Sequence, residues 1–274
     1  MPFTCDVGII GAGVAGLTAA AVLKSAGLSI QVLEANSRIG GRILTVHDPL
    51  SPIPLELGAE FVHGRSPEIW NIIRDRNLPV LEQTSHAVRM SQGKHLRDAG
   101  GEDIAEKVMS QMAKSRRQKD ESFEDFLHRS RLPASARHWA RSYVEGFNAA
   151  ASDRISVGSI LREAGAADQI DGDRSFRLVG GYDSIPRSIL EQIPNHASVI
   201  RLQSVVEKVC WEPGQAEVTY QSSICLEKSV LRCRQLIITV PLGVLQAKPP
   251  SPGAIEFDPA CEPLARWSSD ACIA

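Results

Sequence analysis

Three glycines, Gly11, Gly13 and Gly16, stand at GxGxxG spacing between two short apolar runs, and that arrangement leaves few folds open to the chain. Cys5 to Ile10 is apolar except for Asp6 and Gly8, the pattern of a strand buried on both faces in a parallel sheet. The residues that follow predict a helix with an apolar stripe of Val14, Leu17, Ala21 and Val22, and Gly27 sits where a C-terminal cap is expected. "LSIQVLE" then predicts a second strand, closing a β-α-β unit at Glu34.

Within such a unit each glycine has its own task. Gly11 permits the tight turn, Gly13 lets the backbone approach a pyrophosphate, and Gly16 lets the helix lie close to the strand. The unpaired N–H groups and the positive end of the helix dipole face the same anion. Glu34, ending the second strand, is placed to accept hydrogen bonds from ribose hydroxyls, and its charge disfavours a 2′-phosphate. The pattern points to a bound dinucleotide, with NAD and FAD both open.

Composition narrows the partners. A chain of 274 residues, 43% hydrophobic and 23% charged, can bury a core and holds one or two domains. Its net charge of −2 provides no electrostatic footprint for nucleic acid. The basic run "KSRRQK" (Lys114 to Lys119) is followed at once by "DESFED" and reads as a solvated helical face. Six cysteines (Cys5, Cys210, Cys225, Cys233, Cys261, Cys272) lack CxxC pairing or zinc-ligand spacing, so they read as reduced core thiols, with no metal site expected. There is no basic n-region before a long apolar stretch, and no apolar run approaches the roughly 18 residues of a membrane span. The expectation is a cytoplasmic protein without membrane or nucleic-acid partners.

"EANSRIGGR", starting at Glu34, resembles the extension that follows the ribose-binding acid in the FAD-dependent amine oxidase family, which includes monoamine and polyamine oxidases and flavin-type histone demethylases. The resemblance implies FAD as the cofactor, with Arg38, Gly40, Gly41 and Arg42 folding back across it and Arg42 near the diphosphate. Paired glycines allow close backbone approach, and a guanidinium can meet phosphate oxygens in a bidentate manner. Val14, Ala15 and Ala35 are likewise expected among the cofactor-binding residues. A second match, "LELGAEFVHG" (Leu55 to Gly64), is similar to the family's segment beneath the flavin ring. It implies Gly58, Ala59 and Glu60 near the isoalloxazine and ribityl chain, and His63 facing a substrate tunnel with a catalytic role.

Further matches come in family order. "FRLVGGYDSIPRSIL" resembles the return from the substrate domain to the FAD domain, with Gly180 and Gly181 ahead of a helix. In "ASVIRLQSVVEKVCWEPGQAEVTY" the turn "EPGQ" predicts a hairpin, and by resemblance Val206 packs on the adenine. "RQLIITVPLGVL" looks like the next FAD-domain strand, ending at Val240-Pro241. Neither "RIGGR" nor "GAEFVHG" is needed by an NAD-dependent dehydrogenase, which that reading disfavours.

Between these matches, Ser66 to Ile170 is rich in helix formers. "SPEIWNIIRDR" offers a serine cap followed by proline at the first helical position. In "ARHWARSYVEGFNAA", Trp139, Tyr143 and Phe147 form an aromatic stripe that reads as core, while Pro133 and Pro186 punctuate helices.

The expected fold is therefore α/β: a Rossmann-like FAD-binding domain with a helical substrate-domain insertion, incomplete at the C-terminus relative to the family. Expected segments are 1–65 and 173–248 for the FAD domain, 66–172 for the helical insertion, and 249–274 for the start of a further substrate segment. The implied reaction oxidises an amine to an imine by hydride transfer to flavin, with O2 giving peroxide. The resemblance covers about half of the family architecture. That leaves open an oxidase, alone or completed by a second polypeptide carrying the C-terminal half, against an inactive FAD-binding remnant, or another flavin oxidase or desaturase of the superfamily.

Overall fold

The computed structural model describes residues 2–83, 89–91, 94–96, 101–114 and 120–260. Its elements run β1 (Cys5–Ile10), α1 (Val14–Ser25), β2 (Ile30–Leu33), β3 (Thr45–Val46), β4 (Leu55–Glu56), β5 (Val62–His63), α2 (Pro67–Asp75), β6 (Val80–Gln83), β7 (Arg89–Ser91) and β8 (Lys94–Leu96). There follow α3 (Gly101–Lys114), α4 (Phe123–Arg129), α5 (Ala134–Asn148), α6 (Val157–Asp168), β9 (Ser175–Leu178), α7 (Ser184–Leu190), α8 (His196–Val199), β10 (Ile200–Arg201), β11 (Ser204–Glu212), β12 (Gln215–Ser222), β13 (Lys228–Ile238), α9 (Leu242–Gln246) and β14 (Glu256–Asp258). Among the described residues they form two compact units, one built from residues 2–82 and 175–260, the other from residues within Gln83–Arg174. α2 goes with the first unit, where Ile73 enters the core and Trp70 packs against it.

The first unit is built on a seven-stranded sheet in the order β10-β2-β1-β13-β12-β11-β14. β1 runs parallel to both β2 and β13, and all four residues of β2 are buried, as in a strand covered on both faces, with the Gln31 side-chain amide satisfied by donating to the Val199 carbonyl at 2.6 Å. α1 packs here through Leu17, Ala20 and Ala21, in one cluster with Ile185, Ile189 and Ile193. Val22 does not join that stripe. It is 61% exposed, because the small Ala20 takes the inward position and lets the helix approach closely. Gly27, at φ +85°, closes the helix by donating its N–H to the Lys24 carbonyl.

Strands β11, β12 and β13 form an antiparallel meander. In β12, Ala216, Val218 and Tyr220 alternate inward, and Pro213-Gly214 makes the two-residue turn between the paired Glu212 and Gln215. β13 begins six residues before the apolar "RQLIITV" segment, because its first half pairs with β12 while its second half continues onto β1. Cys5 and Cys233 are paired across β1 and β13 and buried; burial pushes both thiols up, Cys5 to about 11. Cys225, by contrast, is exposed, since it lies in the turn after β12 rather than in the core. Cys261 and Cys272 lie outside the described residues, as do positions 115–119 of the basic run.

The second unit holds α3 to α6 and the β7–β8 hairpin, with Met112, Phe123, Phe126, Leu127, Val144 and Ile160 in its core. Ser122 caps α4 by accepting the Asp125 N–H at 3.1 Å, and Ser156 caps α6 through the Ser159 N–H at 2.9 Å. Of the aromatic stripe of α5 only Trp139, partly buried, packs against the core. Tyr143 is 51% and Phe147 56% exposed, and the three rings stack along the helix at centroid spacings of 5.2 and 5.8 Å. The inward stripe of α5 is instead Ala136, Ala140 and Val144, whose small side chains allow close packing. No helix among the described residues is long and apolar enough to cross a membrane.

Candidate cofactor site

At the C-terminal ends of β1 and β2 four loops meet. The first is the glycine turn. Gly11 has φ +103°, a conformation that disfavours any residue with a Cβ. A Cβ on Gly16 would stand 2.0 Å from the Gly11 carbonyl oxygen, so helix and strand can approach only because it is absent. Thr239, just after β13, locks this turn: its hydroxyl donates to the Ile10 carbonyl at 2.9 Å, and its N–H bonds the same oxygen at 2.9 Å. α1 then starts at Gly13 with no side chain capping it and no acid in its first turn. Its first N–H groups and dipole therefore meet no carboxylate from the helix's own first turn.

The second loop carries Glu34. Its carboxylate is buried, 6% exposed, and spans two loops: Oε2 accepts the Ala12 N–H at 2.7 Å and Oε1 the Asn36 N–H at 2.9 Å. Ala35, beside it, is exposed. The adjoining Ile39–Arg42 turn is the third loop. Gly40 donates its N–H to the Ala12 carbonyl at 2.9 Å, which draws the turn over the mouth of α1. Gly13 and Gly41 face each other there; a Cβ on Gly41 would meet the Gly13 Cα at 3.3 Å. The Arg38 guanidinium donates to the carbonyls of Ile39, Gly41 and Ile43 at 3.0, 2.8 and 2.9 Å. It is thus committed to shaping the turn. Arg42 is exposed and, among the described residues, its guanidinium has no hydrogen bond or ion pair.

The fourth loop is Leu57 to Glu60. Ala59 donates to the Arg42 carbonyl at 3.1 Å, and a Cβ on Gly58 would stand 2.1 Å from that same oxygen. The strand-like "LGA" segment consequently lies flat against Arg42–Leu44 and leaves Gly58 and Ala59 exposed. Glu60 pairs with Arg177 of β9 at 3.4 Å, and His63, exposed on β5, is 3.3 Å from the Ser175 hydroxyl with Phe61 edge-on at 6.3 Å. Val206 is buried among Ile10, Leu33 and Tyr220, beside a bulge in the β11–β12 pairing. Its strand is tied to the ribose end, since Ser204 donates to the Glu34 carbonyl at 2.8 Å.

Several residues that organise the site lie inside the matched segments without being singled out by them. Glu56 accepts the Thr45 hydroxyl at 2.6 Å and the Tyr182 N–H at 2.8 Å, fastening the β3–β4 hairpin to the Gly180-Gly181 turn. Burial, reinforced by the Glu56 charge, pushes the Tyr182 phenol up. Asn36, Thr239 and Arg177 likewise act through partners distant in sequence or in a loop.

Absent side chains around the α1 mouth, a buried acid at the end of β2 and a glycine turn at the sheet's switch point together define an α/β fold of the Rossmann type. The fit to FAD is good on the same grounds: the opposed Gly13 and Gly41 leave open the space where a diphosphate would approach. Comparison with known proteins makes the class specific. The chain belongs to the flavin-containing amine oxidoreductase family, whose model matches residues 14–127 and 83–272. It is 26% identical to polyamine oxidase 3 of Oryza sativa subsp. japonica over 96% of this chain and 55% of that protein. It is likewise 26% identical to the L-amino-acid oxidase of Mus musculus, over 96% of this chain and 44% of the other. The fold matches that of cyclohexylamine oxidase from Brevibacterium oxydans with a TM-score of 0.74 at 20% identity, covering 97% of this chain and 63% of that one. The chain thus spans about half the length of the curated relatives it matches.

Proposed function

We propose that this chain binds FAD and serves the oxidation of an amine to an imine. The observation that carries the reading is the convergence of four loops, Gly11–Gly16, Glu34–Asn36, Arg38–Arg42 and Gly58–Glu60, joined by the Gly40–Ala12 and Ala59–Arg42 hydrogen bonds. When bound, the flavin would supply the hydride acceptor, with O2 returning it to the oxidised state and forming peroxide. The chain's own residues do the binding. Glu34 receives the adenosine ribose, the first turn of α1 with Val14 and Ala15 receives the diphosphate, and the unpaired Arg42 provides the compensating charge. Exposed Gly58 and Ala59 form the flat surface for the ring, Glu60 is held at its edge by Arg177, and Val206 and Ala35 border the adenosine. His63, on the strand that leaves this surface, faces the amine.

The names of the relatives support an amine as substrate class. The unpaired cysteines among the described residues support a reducing, cytoplasmic setting. A second reading, FAD binding without oxidation, is favoured by the exposure of Gly58 and Ala59, the surface on which the ring would lie. On that reading, oxidation requires further protein to cover that surface.

The test is to purify the chain, record its visible spectrum, and measure peroxide with mono-, di- and polyamines. A flavin spectrum with amine-dependent peroxide supports oxidation. A flavin spectrum without peroxide supports the binding-only reading, and a colourless protein that does not take up added FAD refutes both.

A further inference from the structure

The carboxylate of Glu34 is nearly used up by the chain itself. A carboxylate offers about four acceptor positions, two on each oxygen. Oε1 takes both the backbone N–H and the side-chain amide of Asn36, at 2.9 and 2.8 Å. Oε2 takes the Ala12 N–H at 2.7 Å. One position remains, on Oε2. The orientation of the Asn36 amide is unambiguous, since a carboxylate only accepts and so must face the NH2 end.

We propose that Asn36 makes Glu34 a single-hydroxyl acceptor, so that the site grips one of the two adenosine ribose hydroxyls of the cofactor and leaves the other without a carboxylate bond. The inference deepens the FAD reading and rests on it. Asn36 can hold this position because its own backbone is pinned: Gln203 donates its N–H to the Asn36 carbonyl at 2.9 Å, Ser204 donates to the Glu34 carbonyl at 2.8 Å, and the Glu34 N–H bonds the Arg201 carbonyl at 2.9 Å. With that backbone held, amide and N–H of one residue converge on one oxygen and close it to a ligand. Of the three donors to the carboxylate, the Asn36 amide is also the one a substitution can remove, since Ala12 and the Asn36 backbone donate through the main chain.

The test uses the full chain stripped of flavin and titrated with FAD and with two FAD analogues, one carrying 2′-deoxyadenosine and the other 3′-deoxyadenosine, followed by flavin fluorescence. In the unaltered protein, one analogue is expected to bind about tenfold more weakly than FAD and the other within about twofold, the signature of a single charged hydrogen bond. In Asn36→Ala, which frees the second position on Oε1, both analogues are expected to bind about tenfold more weakly than FAD. A merely structural role for Asn36 would weaken all three ligands together and leave their ratios unchanged. Equal losses for the two analogues in the unaltered protein overturn the inference, whether or not the variant folds. So does an Asn36→Ala pattern identical to that of the unaltered protein. Absence of saturable FAD binding overturns the inference and the FAD reading together, whereas Glu34→Ala losing affinity while the two analogues remain equal overturns the inference alone.

Discussion

Gly13 and Gly16 belong to one motif, and the structure separates what each does, so substituting alanine at each should produce opposite outcomes. At Gly16 the new Cβ would stand 2.0 Å from the Gly11 oxygen, 3.0 Å from the Gly11 carbonyl carbon and 2.9 Å from the Thr239 hydroxyl. Two of these are backbone atoms of the turn, and the third belongs to a side chain already bonded to Ile10, so none can move aside cheaply. Restoring van der Waals contact near 3.5 Å requires α1 to withdraw by about 1.5 Å, opening the Leu17–Ala20–Ala21 interface. A forced shift of that size in a packed core costs about 3 kcal/mol or more. With a urea slope of about 3 kcal/mol/M, the midpoint should fall by about 1 M. At Gly13 the backbone, φ −71° and ψ −179°, suits any residue, and the nearest atom to a new Cβ is the Gly41 Cα at 3.9 Å. Stability should therefore stay within about 1 kcal/mol, the lost helix cap offsetting the gain from a stiffer unfolded chain. The methyl nevertheless stands in the gap between Gly13 and Gly41 where the diphosphate must approach, and FAD affinity should drop at least about tenfold. Urea unfolding followed by tryptophan fluorescence, paired with FAD titration of each variant, measures both quantities. An unchanged midpoint for Gly16→Ala, or full FAD affinity in Gly13→Ala, would refute this division of labour.

Arg38→Lys should not rescue Arg38→Ala: an ammonium cannot reach three carbonyls from one position, so both variants should lose about 2 kcal/mol of stability and bind FAD more weakly, read by the same two titrations. In the second unit, hydrogen bonding from Arg141 brings the Glu124 carboxyl down to about 2 against the opposing effect of burial, with Ser152 and further charge assisting. Because the folded-state value lies below the unfolded one, this stabilisation is complete above the ordinary glutamate range and lost as pH falls toward 2; melting temperature against pH should drop through that window in the unaltered protein and be flatter in Glu124→Gln. Glu56→Ala removes the acceptors of both the Tyr182 N–H and the Thr45 hydroxyl, so hydrogen exchange at Tyr182 should quicken while β1 amides stay protected, and equal protection at Tyr182 would count against Glu56 as the fastener.

Local chain chemistry was sufficient for much of the dinucleotide unit. The glycine spacing, the apolar runs of β1 and β2, the Gly27 cap and the "EPGQ" turn all depend on backbone preferences within a few residues, and each takes its expected form. α5 shows where this stops. A 3.6-residue period reveals two neighbouring stripes, one aromatic and one small, and nothing local says which turns inward. Close approach of neighbouring helices selected Ala136, Ala140 and Val144. Val22 failed for the same reason, with Ala20 taking the inward place.

The candidate site divides along the same line. Gly11, Gly13, Gly16 and Glu34 were legible because turn, helix start and strand end are all encoded within one β-α-β unit, and "RIGGR" because it follows directly. Thr239 on Gly11, Arg177 on Glu60 and Tyr182 on Glu56 were not, since strand pairing and loop docking bring together positions more than a hundred residues apart. Even Asn36, two residues from Glu34, gave no sign of its role: an exposed amide acquires one only when the buried carboxylate turns toward it. Sequence alone determined that the glycine turn, the start of α1 and the end of β2 take the form they do, because backbone conformation is a local property. Only the tertiary structure decided how many acceptor positions of Glu34 are taken by the chain itself, because hydrogen-bond capacity depends on which groups folding brings within reach.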